Sequence, residues 1–202
     1  MPRRNSPRSD NIRRALAQEA ARLMAEHGIQ DFLAAKRKAA ARFGNVDSAA
    51  LPGNAEIEAA LAEYQRLFTA DTHGTHLHRQ RRAALKAMQG LAEYQPRLVG
   101  PVLVGTATEH ADVQLHLFAD QPETVGLQLL DRGIAHEITG RRLRVNSEQT
   151  RQYPGLRFTV DMQPIEATIF PVNGIRQAPA SPVDGRPMRR ADIAELRTLL
   201  GD

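Results

Sequence analysis

One stretch of the chain gathers residue types that do chemistry, running from Gly105-Thr106 through Asp112, Gln114 and His116 to Phe118. The apolar, β-branched run Leu98–Val104, with an irregular start at Gly100-Pro101, reads as a strand, so Gly105-Thr106 falls at a strand end. A Gly-Thr turn there would offer backbone N–H groups and a hydroxyl to phosphate oxygens. Asp112, Gln114 and His116 alternate with Val113, Leu115 and Leu117. The three polar side chains therefore share one sheet face while the apolar three bury the other. Ile165–Phe170 repeats the pattern, with Glu166 and Thr168 between apolar neighbours. If the two strands pair, Glu166 and Asp112 converge. The plainer alternative is an ordinary turn followed by the wet face of an edge strand.

These residues resemble the nucleotidyltransferase superfamily related to DNA polymerase beta. Its signature is a Gly-Ser/Thr turn, an Asp-x-Asp/Glu pair on the next strand, and a third carboxylate on a neighbouring strand. The resemblance covers roughly residues 97–171. It implies a nucleotidyltransferase-like fold and transfer of a nucleotidyl group from a nucleoside triphosphate to a hydroxyl acceptor. Two Mg²⁺ ions serve that chemistry by holding the triphosphate and activating the attacking hydroxyl. By position, Gly105 and Thr106 match the phosphate-cradling turn, Asp112 the first carboxylate and Glu166 the third. Gln114 stands where the second carboxylate belongs, and the spacer from Thr106 to Asp112 is short. Gln114 and His116 would then fill the vacant ligand position. The alternative is a catalytically inactive member of the fold that binds RNA or another acidic partner through its basic helices.

Other polar groups carry weaker signals. His73, His76 and His78 are close in sequence but match no strong zinc spacing, and a helix start explains them as exposed or capping residues. Arg79, Arg82 and Lys86 share one helix face. Either that face is simply solvated, or it overhangs the sheet and contacts triphosphate or a nucleic-acid backbone. Lys36-Arg37-Lys38 is similar, while Phe32 and Phe43 read as core rather than as stacking platforms. Pro171–Met188, followed by Arg189-Arg190, is a long connection that would lie across the active face as a lid or serve as a plain surface link.

The elements that must position these groups fall in two halves. Residues 1–9 read as a disordered basic arm. Residues 10–95 read as a helical region, with helices from Asp10 to Gly28, Asp31 to Phe43, Asn54 to Phe68 and about Thr75 to Glu93. Residues 96–202 read as the nucleotidyltransferase-like domain. Its short strands surround one helix that starts near Asp120 and stops at Gly133, and Asp192 caps a last helix. The fold class is α+β, a helical layer packed on a mixed sheet.

Composition narrows the chemistry further. The 202 residues contain no cysteine, which excludes disulfides, thiolate zinc sites and thiol nucleophiles. Any metal should then be a hard, oxygen-seeking ion such as Mg²⁺. No apolar run is long enough to span a membrane, so a cytoplasmic protein is the expectation. The net charge of +4 is unevenly spread: residues 1–44 carry +6 and residues 98–175 carry −3. A carboxylate site under a basic helical cover accounts for that distribution.

Overall fold

The computed structural model describes residues 7–44, 50–146 and 149–202, and most of the expected N-terminal arm lies outside them. Seven α-helices are found there, together with a mixed sheet of five strands. The helices are α1 (Pro7–His27), α2 (Phe32–Phe43), α3 (Asn54–Phe68), α4 (Ala70–Gly90), α5 (Gly100–Val104), α6 (Glu123–Asp131) and α7 (Ile193–Leu200). The strands are β1 (Arg97–Val99), β2 (Val113–Phe118), β3 (His136–Arg144), β4 (Thr150–Val160) and β5 (Gln163–Phe170). The chain forms two compact units, which divide within α4 between Gly74 and Thr75 rather than near residue 95. Residues 108–110 and 182–184 group with the first unit. Among the described residues no helix is long and apolar enough to cross a membrane.

The first unit is built on small side chains. Leu16, Ala17, Ala20, Ala21, Leu23 and Met24 of α1 pack with Ala35 and Ala39 of α2 and with Ile57 and Leu61 of α3. Alanine at the contacts lets helix axes approach closely. Asp31 caps α2 by accepting from the Ala34 N–H at 2.7 Å, as its position before an apolar run predicts. Polar groups close the outside of this layer. Glu19 receives Arg22 at 2.9 Å and also pairs with Arg42, and the Arg22 hydrogen bond holds its carboxyl below the ordinary range. The Tyr64 hydroxyl donates to Glu26 at 2.8 Å.

The second unit is the sheet, in the order β1-β2-β5-β4-β3. β2 and β5 run parallel in its centre, and the other neighbours are antiparallel. On the inner face Val113, Leu115, Leu117, Ile165, Ala167, Ile169, Leu156 and Phe158 are buried. Ala84 and Met88 of α4, Leu103 of α5, Leu129 of α6 and Leu196 of α7 complete the same core. Each fully buried leucine or isoleucine contributes about 1.5–3 kcal/mol, so this face supplies most of the unit's stability.

Several elements differ from the sequence reading. Leu98–Val104 is not one strand: β1 ends at Val99 and α5 begins at Gly100. Pro101 lacks the N–H that a ladder needs but fits a first helical turn, and Gly100, at φ +71°, makes the bend. A Cβ at Gly100 would lie 2.6 Å from Gln114 Oε1, the movable end of that side chain, so it is the positive φ that calls for glycine. β3 is a single strand, continuous through Gly140. α6 starts at Glu123, and Asp120 accepts from the Val172 N–H at 3.0 Å instead of capping it. Asp161 and Met162, both at positive φ, form the tight turn between β4 and β5.

The long connection after β5 skirts three strands. It makes a 3₁₀ turn at Val172–Arg176 and reaches β3, where the Ala180 N–H donates to Arg144 O at 2.7 Å. Its end pairs with β1 at the far edge, Ala191 bridging Leu98. Its second leg (185–191) lays Arg190 over the outer face of the sheet.

Candidate functional site

Strand register puts the predicted polar residues on one face. Gln114 of β2 lies directly beside Glu166 of β5, and His116 beside Thr168. Glu166 in turn neighbours Arg157 of β4, while Arg97 of β1 neighbours His116. Asp112 immediately precedes β2 and is 8 % exposed. The outer face thus carries Asp112, Gln114, His116, Glu166 and Thr168, as the alternation predicts.

The two carboxylates do not face one another across an open space. Asp112 accepts from Arg157 Nη2 at 3.2–3.3 Å, and Glu166 is bonded to Arg141 Nη1. Arg141 sits one row beyond Gly155, whose missing side chain leaves the intervening row open. That glycine is tightly held: a Cβ there would lie 2.8 Å from Thr139 Oγ1 and 2.9 Å from the Ala167 carbonyl. Each acid therefore has a guanidinium in the position where a divalent cation would sit. Among the described residues no group of three metal-ligating side chains forms. This donor set does not fit the Mg²⁺ pair that the resemblance implies, because two acids neutralised by arginine plus a neutral Gln114 offer no net negative cradle.

Gly105 and Thr106 lie at the C-terminal end of α5 rather than at a strand end. Gly105, at φ +95°, is its cap, and the N–H groups of Gly105 and Thr106 both donate to Pro101 O, at 2.8 and 3.0 Å. Those two donors are spent within the turn. Arg79 and Arg82 are on α4, whose buried side packs on the inner face. Both are exposed, and Arg82 pairs with Asp202 at 2.8 Å. The sheet separates these arginines from Asp112 and Glu166, so the helix does not overhang the polar face. His73 and His76 fall within the first turns of α4.

His116 is the most enclosed titratable group of the face. It is 3 % exposed and stacks on Phe170 with ring centroids 4.6 Å apart. Arg190 Nε donates to its Nδ1 at 3.0 Å, which fixes the neutral tautomer carrying its proton on Nε2. Burial first, then the charges of Arg190 and Arg141, push its pKa well below the ordinary imidazole value. Arg190 Nη1 donates to Gly174 O and Ile175 O at 3.0 and 3.1 Å. Its guanidinium lies 5.0 Å from the centroid of Phe118 and 5.1 Å from that of Phe170. Tyr153 stacks on Phe170 at 4.4 Å. Burial and nearby Arg97 bring the Arg190 pKa down to about 10. Arg190 Nη2 is buried and has no hydrogen-bond partner. Among the described residues, neither Arg190 nor Arg97 meets a carboxylate; the Arg97 guanidinium donates to Gln95 O and Pro96 O, both at 3.0 Å.

The acids and amides of this face were legible from alternation along two strands, but its arginines were not. Arg141 and Arg157 belong to β3 and β4, where a charged residue in an amphipathic strand reads simply as solvent-facing. Only the Arg189-Arg190 pair at the end of the long connection drew notice. No family model, no curated protein and no solved structure matches this chain.

Proposed function

We propose that the sheet unit is a nucleotidyltransferase-like module that binds a phosphate-bearing ligand without metal-dependent transfer. One observation carries the reading: Arg97 and Arg190 flank His116 without a carboxylate partner, while both acids of the face are engaged by Arg157 and Arg141. Two guanidiniums beside a neutral imidazole form a cationic spot in a partly desolvated setting, where a charge-assisted bond to an oxyanion is strong. The orphan Nη2 of Arg190 supplies a donor that such an oxyanion would complete. Tyr153, half-buried on Phe170, offers aromatic surface beside it. Gln114 supplies a neutral amide that orients a polar group without demanding a cation.

The reading is tested with ATP as the probe. Calorimetric titration should show binding that weakens steeply as salt rises, because the contacts are between ions. Arg97→Gln and Arg190→Gln should each weaken it about tenfold or more, the loss of one charge-assisted bond of about 1.5–3 kcal/mol. Binding indifferent to both substitutions would refute the assignment to this face.

A further inference from the structure

The last strand of the sheet ends in an open edge. β3 is nine residues long, pairs with β4 on one side only, and contains neither a bulge nor proline. Its peptide groups alternate in direction. The Arg144 carbonyl points away from β4, since it accepts from the Ala180 N–H. The Val145 N–H points back to Gln149 at the start of β4. Even-numbered residues therefore turn their N–H and C=O outward: His136, Ile138, Gly140 and Arg142 present a row of donors and acceptors to any added strand. Proteins ordinarily blunt so long an edge.

Side chains beside the edge are of two kinds. Ile138 is 80 % exposed, and Leu127 and Leu130 of α6 are 60 % and 58 % exposed. α6 lies on the same side of the sheet, since a Cβ on Gly126 would come within 3.0 Å of His136 Nε2. Leu130, one turn after Gly126, extends that side of the helix. The other end of the edge is cationic: Arg142 and Arg144 are exposed, and neither meets a carboxylate among the described residues. A second copy of β3 would bring the same Arg142 and Arg144 and, on this side of the sheet, no carboxylate, so self-pairing leaves these charges uncompensated and an acidic partner is favoured.

We infer that β3 is a strand-addition site for an extended acidic peptide segment of a partner protein. The main chain gains ladder hydrogen bonds at Ile138, Gly140 and Arg142. Alternate side chains provide selectivity: an acidic one opposite Arg142, where the added ladder ends because Ala180 already bonds Arg144, and apolar ones over Ile138 and the leucines of α6.

The test uses the full chain and a labelled peptide, Glu-Thr-Val-Thr-Val-Thr-Val, whose glutamate meets Arg142 in an antiparallel addition that runs towards His136. Fluorescence anisotropy should show saturable binding that weakens at least tenfold with Ile138→Lys and with Arg142→Glu. Both positions are exposed, so circular dichroism should show both variants folded. N-methylation of alternate peptide amides should abolish binding, and hydrogen exchange should show new protection at Ile138, Gly140 and Arg142. Absence of binding, or binding unchanged by N-methylation, overturns the inference. So does a concentration-dependent dimer in sedimentation that Ile138→Lys dissociates, because the occupant is then a second copy.

Discussion

The two faces of the sheet use the same strands differently. Inward, β2 and β5 present Val113, Leu115, Leu117, Ile165 and Ile169, each at most 1 % exposed and covered by helices. Outward, the intervening residues form an ion-paired, aromatic surface in which one buried guanidinium nitrogen has no partner. The inner face is covered by helices, although His136 Nδ1 of β3 and Gln128 Oε1 of α6 are buried on that side without a partner. The outer face is complete around its two acids, and its unpartnered donor belongs to a guanidinium that meets no carboxylate. A buried donor left unpaired costs about 1–3 kcal/mol. The cationic character of that donor is the physical reason for placing an anionic ligand on the outer face.

The sharpest way to break the comparison is to empty the inner face. Leu115→Ala removes a fully buried side chain at the sheet centre and should cost about 2–5 kcal/mol in urea unfolding. A loss below 1 kcal/mol would mean that the inner face is not the main source of stability. The outer face should respond less and asymmetrically. Arg157→Ala strands the nearly buried Asp112 carboxylate and should cost about 1–3 kcal/mol, whereas Asp112→Asn leaves only the half-exposed Arg157, free to hydrate. Equal losses in the two variants would show that Asp112 is not held by this pair.

Acid should then probe the outer face through His116, its buried imidazole. The folded pKa of His116 is lowered, so below about pH 6.5 the unfolded chain takes up a proton that the native imidazole refuses. The contribution of His116 to stability is therefore full above that pH and falls as pH drops towards the folded pKa. The slope is at most about 1.4 kcal/mol per pH unit. His116→Gln keeps an acceptor for Arg190 and should flatten this part of the profile; an unchanged slope assigns the effect elsewhere. The smallest effect is a gain. Met162 is 88 % exposed at φ +64°, and Met162→Gly should raise stability by about 1 kcal/mol by relieving a left-handed residue in the β4–β5 turn. A loss of stability there would show that the methionine does more than turn the chain.

Legibility in the sequence followed the same division. Period-two alternation identified both faces of β2 and β5, because a strand cannot tilt Leu115 inward without turning Gln114 outward. Helix stops and caps were equally local: Asp31 and Asp192 each accept from a backbone N–H three residues on, and Gly28, at φ +65°, ends α1. Proline chemistry decided the stretch from Gly100 to Val104, where β-branched composition favours a strand but Pro101 forbids its ladder. The pairing of Asp112 with Arg157 depends on which strands are neighbours and in what register. Nothing local to either residue encodes that. A carboxylate read alone therefore looks like a metal ligand, and only strand order reveals the arginine beside it. Arg190 lies further still, carried to His116 by a connection whose path is set by edge bridges at both ends of the sheet.

The most direct measurement is calorimetric titration of ATP into the full chain in EDTA and again in excess Mg²⁺, with pyrophosphate release followed in the second case. The arginine-based account predicts binding in both conditions, no pyrophosphate release, and persistence of binding in Asp112→Ala. Binding that requires Mg²⁺ and disappears with Asp112→Ala would contradict it and restore a metal-dependent transferase.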